Sequence, residues 1–231
     1  MSAVDAIDEL LGALADGVLQ LKGNFIDPHV GAVEPPEAYV IDVKSFCVLS
    51  YASLEHTLES FALLYLEWLR DTAGTDARRD ALRAPMLLYH GKKEGYLYGD
   101  PTHHDFMGTL QAAFSDACDR FAQHVELGNH GAGRKHLRRL FWPLGIELST
   151  SSRFEASLHR LLRARGAFAH RTLTDRKDLT SPEDALGLVS DGVEFASNIR
   201  DELVSRILGQ SVPSWHRQLL MVCLADVAAK E

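Results

Sequence analysis

Residues Cys47, Tyr51, Leu54, Leu58, Phe61, Tyr65 and Trp68 recur alternately four and three positions apart. On an α-helix that spacing holds one apolar stripe in line for about six turns. Such a stripe must be buried against other helices. The same periodicity continues elsewhere. An amphipathic helix is expected over about 3–21, breaking near Gly23 and Pro28, and the long helix after Pro35-Pro36, to about Asp71. A shorter helix is expected over about 76–89, followed by a polar loop to Pro101. The next spans about 103–127, with Phe106, Leu110, Phe114, Ala117 and Phe121 on one face. A short basic piece, 134–142, ends at Pro143 and Gly145. The Ser/Thr cluster 149–152 offers N-cap groups for a helix to about His170. Ser181-Pro-Glu-Asp opens another, ending near Gly209, with a capping Ser, Pro in the first turn and acids behind it. A last helix covers about 213–229, and no segment alternates as a strand should. The expected class is all-α: an up-and-down helical bundle of about seven helices with extended connections near 72–102 and 128–150. A single domain, 1–231, is expected, with a core at about 37–208 and the terminal helices packed on it.

The chain has 231 residues and a net charge of −8. Its acidic first residues do not resemble a basic export signal, and its longest uncharged apolar stretch, 45–54, is too short to cross a bilayer. A cytoplasmic protein with no membrane association is expected. Cys47, Cys118 and Cys223 are odd in number and lie in apolar periodic sequence, so they read as reduced core thiols. The charge is not evenly spread. From Arg134 to Arg171 there are nine Arg/Lys against Glu147 and Glu155, a balance of +7 that leaves −15 elsewhere. One basic segment in an acidic chain suits an anion, with phosphodiester the obvious candidate.

Within that segment, Phe154, Leu158, Leu161 and Phe168 form an apolar stripe whose missing member, position 165, is Arg. An unpaired guanidinium there would cost several kcal/mol. It needs a carboxylate, a wet cleft or an anion. Gly166, Ala167 and Ala169 are small and permit close approach. His170 follows five residues later, about 140° away around a regular helix. Either the helix unwinds before His170, or a second copy across a two-fold axis completes the site. Arg-x4–6-His also occurs at Arg83–His90, Arg153–His159 and Arg163–His170. Seam position and the helix end before a polar loop select Arg165.

Leu161-Leu-Arg-Ala-Arg-Gly-Ala-Phe-Ala-His170, with the polar loop and capped helix after it, resembles the signature of the HEPN superfamily. These are all-α nucleotide- and RNA-binding domains with Arg-x4–6-His between their last two core helices. Segment 45–59 is similar to a second family element, a long helix with a polar residue near its middle. The likeness spans about 37–208 and is nearest the RiboL-PSP-like or MAE-type branches. Gly166 stands where members commonly carry Asn, Asp or His. The resemblance implies a homodimeric endoribonuclease that needs no metal or other cofactor. His170 would serve as general base or acid, and Arg165 would stabilise the phosphorane. The products would carry 2′,3′-cyclic phosphate and 5′-OH ends. It further implies an RNA substrate, a role as toxin or phage-defence effector, and an antitoxin or regulatory protein as partner. A non-catalytic HEPN module binding a nucleotide or protein is the alternative, and a structural helical adaptor is a third class.

Other residues are weighed beside this pair. Glu55 interrupts the apolar helix and either orients Arg165 or His170 or faces solvent. Arg153, Arg160 and Arg163 form one helix stripe, continued by His170, that is either a solvated face or a phosphate track, with Arg171 just beyond. Arg134, Lys135, Arg138 and Arg139 read as a mobile solvated segment ahead of RNA ligands, and Trp142, which could stack on a base, as a packed aromatic first. His103-His104-Asp105 reads as helix capping, since adjacent histidines diverge by about 100°. No metal site is expected.

Overall fold

The computed structural model describes residues 1–31, 37–71, 83, 86, 106–128, 131–146, 148, 151–170 and 180–209, with the backbone alone at 37–38, 106–111, 128 and 166–170. Among the described residues there are six α-helices and no strand. They are α1 (Ala3–Phe25), α2 (Glu37–Arg70), α3 (Phe106–Gly128), α4 (Arg134–Phe141), α5 (Ser152–His170) and α6 (Pro182–Leu208), with a 3-10 turn at Asp27–His29. The class is all-α. Residues 83 and 86 are helical, as expected for 76–89. The helix at 213–229, the loop at 90–101 and His103-His104-Asp105 lie outside the described residues.

The chain divides into two compact units. The first comprises Met1–Phe61, His130–Leu137 and Ser149–Asp201. Its first helix opens on a capping box, in which the Ser2 hydroxyl accepts from the Asp5 N–H and the Asp5 carboxylate from the Ser2 N–H. This helix ends at Phe25, within the break expected near Gly23 and Pro28, and the fully buried Ile26 follows it, its N–H donating to the Lys22 carbonyl. The core joins Tyr51, Leu54, Leu58 and Phe61 of α2 to Phe154, Leu158 and Leu161 of α5 and to Val189, Phe195 and Ala196 of α6. Gly192 lets the helices close on one another. A Cβ there would stand 2.9 Å from Leu54 Cδ2 and 3.9 Å from Leu161 Cδ1. The Ser181 hydroxyl caps α6 by accepting from the Asp184 N–H at 3.0 Å.

The second unit comprises Ala62–Asn129, Arg138–Leu148 and Glu202–Glu231. Tyr65, Leu66 and Leu69 continue the buried stripe of α2, while Trp68 lies at its partly exposed margin and stacks on Tyr65. Phe114, Ala117, Cys118 and Phe121 of α3 are buried, as are Leu140, Phe141, Leu144 and Ile146. The end of α4 is closed by Gly145 at φ +72, with Ile146 N–H donating to the Phe141 carbonyl and Gly145 N–H to that of Trp142. Burial pushes the Cys47 thiol up to about 12 and the Cys118 thiol to about 11, so both are inert. No described helix is long and apolar enough to cross a membrane.

Candidate nucleic-acid site around Arg165

The apolar stripe of α5 descends through Phe154, Leu158 and Leu161, all buried, and then meets Arg165, whose side chain is 41% exposed. The guanidinium finds its partner on α2. Arg165 Nη1 donates to Glu55 Oε2 at 2.9 Å, and Glu55 is only 10% exposed. One turn earlier on α2, the Tyr51 ring lies 5.6 Å below the guanidinium carbon. The Tyr51 hydroxyl in turn accepts the Ala132 N–H at 2.5 Å. Burial raises the Tyr51 phenol, partly offset by that hydrogen bond. A polar residue in the seam of one helix therefore meets a polar residue in the seam of another, over an aromatic floor. A guanidinium carries five N–H donors, and this one stays partly open to solvent.

Glu59, one further turn along α2, belongs to the same cluster. Its Oε1 is buried and has no hydrogen-bond partner. Burial, with the Glu55 carboxylate adding to it and Arg165 opposing, pushes the Glu59 carboxyl up to about 7. A carboxyl held above its ordinary 4.5 favours folding while protonated. That contribution is complete below about 4.5 and is lost as the pH rises through about 7. Glu59→Gln is therefore expected to raise stability at pH 8 by about 1 kcal/mol, allowing for screening of a partly exposed group. At pH 4 it should change little. Urea unfolding at the two pH values checks this, and a gain equal at both would contradict it.

The other basic residues are distributed differently. Arg153 donates to Glu194 Oε2 at 2.5 Å and lies 3.3 Å from Asp191 Oδ1, while Arg160 lies 3.9 Å from Asp184 Oδ2. The stripe of α5 thus faces carboxylates of α6. Its signal was readable: Arg153 and Arg160 are seven apart, and so are Asp184 and Asp191. Two antiparallel helices in contact can then set Arg153 against Asp191 and Arg160 against Asp184. Arg163 is exposed. Arg134 lies 3.5 Å from Glu155. Arg83 donates from Nε and Nη2 to the Leu69 carbonyl at 3.2 and 3.0 Å, closing the end of α2.

The backbone of α5 remains helical to His170, so it does not unwind before that residue. The His170 side chain and the whole of Arg171 lie outside the described residues. Positions 165 and 170 are about 140° apart around such a helix. Among the described residues, no group of three or more His, Cys, Asp or Glu is placed to hold a metal ion.

One further segment and one residue depart from expectation. Segment 134–141 is an ordered helix, because Leu137, Leu140 and Phe141 are buried on one side. Trp142 is not packed away but 53% exposed, since the chain turns at Pro143–Gly145 and buries Leu144 and Ile146 instead.

No curated protein and no solved structure matches the chain. The family model RiboL-PSP-HEPN matches residues 24–205, well over half its length and including Arg165, Glu55 and His170. The protein belongs to the RiboL-PSP-HEPN family, a HEPN-type domain.

Proposed function

We propose that the protein is a metal-independent endoribonuclease. The observation that carries this reading is Arg165, held by Glu55 in an apolar seam yet 41% exposed, on the helix that ends at His170. His170 takes the proton of a ribose 2′-OH, and the oxygen attacks the adjacent phosphorus. Arg165 offers paired N–H donors to the charge that builds on the phosphorane. The P–O5′ bond breaks as the 5′-oxygen takes a proton from solvent, leaving a 2′,3′-cyclic phosphate and a 5′-OH, and the protonated His170 returns its proton to solvent. Because the two positions diverge around one helix, two copies related by a two-fold axis would join the Arg165 of one to the His170 of the other. Family likeness supports a setting as a toxin or phage-defence effector restrained by an antitoxin or regulatory protein.

The test is cleavage of RNA in EDTA with analysis of the ends. Wild type should cut and leave cyclic phosphate, and His170→Ala should be slower by about 100-fold or more, the contribution expected of general acid–base catalysis. Cleavage that needs a divalent ion, or that survives in His170→Ala, overturns the reading. One observation favours a second reading, a non-catalytic module. Arg165 already has a carboxylate partner in Glu55, so the pair also suits a pocket that only binds a nucleotide or protein. Nucleotide binding without any cleavage would decide for it.

A further inference from the structure

Most described arginines in this acidic chain already have a carboxylate. Arg153, Arg160 and Arg165 do, and so do Arg70, Arg134 and Arg200. Arg138 and Arg139 have none among the described residues. Both stand on α4, whose apolar residues Leu140 and Phe141 anchor it in the second unit. At the end of that helix is Trp142, 53% exposed, the most exposed aromatic ring among the described residues. The Arg138 guanidinium lies 5.8 Å from the centroid of its indole. An exposed indole with Arg138 beside it, and Arg139 next in sequence, gathers a π face and positive charge in a protein whose net charge is −8. The backbone under it is fixed. Gly145 closes the turn and Leu144 and Ile146 are buried, so Trp142 is presented from a rigid base.

We infer that Arg138, Arg139 and Trp142 form a binding platform for single-stranded RNA, with a base stacked on the indole and the adjoining phosphate held by the arginines. A single-stranded nucleotide joins a π face to an anion in one flexible unit. An acidic peptide would satisfy the arginines and leave the indole unused. The platform rests on the RNA reading above and extends it. It assigns a binding contact that is not part of the Arg165 cluster and that favours unpaired bases over duplex.

The experiment uses the full-length His170→Ala protein in EDTA and a fluorescein-labelled oligouridylate, with binding followed by anisotropy. Adding Trp142→Ala should weaken binding about tenfold, within the range for loss of one stacked base. Trp142→Tyr, which keeps a stacking face, should recover most of it. Arg138→Ala should lower the slope of log affinity against log salt by about one. An RNA duplex should bind more weakly than the single strand. Unchanged binding in Trp142→Ala and Arg138→Ala overturns the platform, as does a parent protein that binds no oligouridylate. Polyglutamate binding as tightly as RNA, with the same loss in Arg138→Ala, overturns it in favour of an acidic protein partner. The outcome is separate from that of the cleavage assay. Cleavage by wild type with no effect at Trp142 refutes the platform alone, whereas a Trp142 effect without cleavage refutes the nuclease alone.

Discussion

Arg165→Ala is expected to slow RNA cleavage by roughly 100- to 1,000-fold, the usual loss when one donor to a developing oxyanion is removed. The ion pair with Glu55 permits a control independent of chemistry. Without Arg165, the Glu55 carboxylate, 10% exposed in the intact pair, keeps Glu59 as its neighbour and loses its guanidinium. That should destabilise the fold by about 1–3 kcal/mol. Adding Glu55→Gln to Arg165→Ala should recover most of that stability and none of the activity. Glu55→Gln alone should lower cleavage about tenfold, since Arg165 keeps its charge and loses its orientation. Urea unfolding and single-turnover cleavage of the four proteins complete the cycle. Additive stability changes would show that the 2.9 Å contact contributes nothing to folding. Full activity in Arg165→Ala would remove the arginine from the chemistry.

Tyr51 should be the most sensitive position of the first unit. It is fully buried, its hydroxyl accepts the N–H of Ala132, which is itself buried, and its ring underlies Arg165. Tyr51→Ala removes a core aromatic, typically a loss of about 3–5 kcal/mol, and strands a buried donor as well. Tyr51→Phe keeps the ring and should cost about 1–3 kcal/mol through the unsatisfied Ala132 N–H alone. Denaturant midpoints for the two variants check this. A Tyr51→Phe protein as stable as wild type would mean that water serves the Ala132 N–H equally well.

What could be read in advance depended on how locally each feature is encoded. Helix ends were legible because their causes lie within four residues: Ser181 with Pro182, and Gly209 at φ +85, bound α6 at Pro182–Leu208. Arg165 was legible because an arginine in an apolar stripe contradicts its own surroundings. Its partner was legible only as one of two alternatives, because Glu55 is 110 residues away and reads equally as a surface glutamate. The arginine stripe was seen on one helix only; its meaning needed the acids of a second. Trp142 reads in the sequence as a packed aromatic, because the turn that exposes it is set by the residues after it. Gly145 turns the chain so that Leu144 and Ile146 take the interior places instead.

The matched charges of α5 and α6 have a consequence for Arg165 itself. Exposed ion pairs contribute little to folding, about 0–1 kcal/mol each. Their value lies in indexing, because two helices that slide or rotate by one residue would set Arg153 and Arg160 against the wrong side chains. The pairs act as a key at the start of α5, and a helix is stiff enough to carry that angular setting forward. Arg165 stands five residues beyond Arg160, so the bearing on which it meets Glu55 is fixed by side chains that never touch it. One residue inserted between them would leave the key engaged and turn the arginine by about 100°.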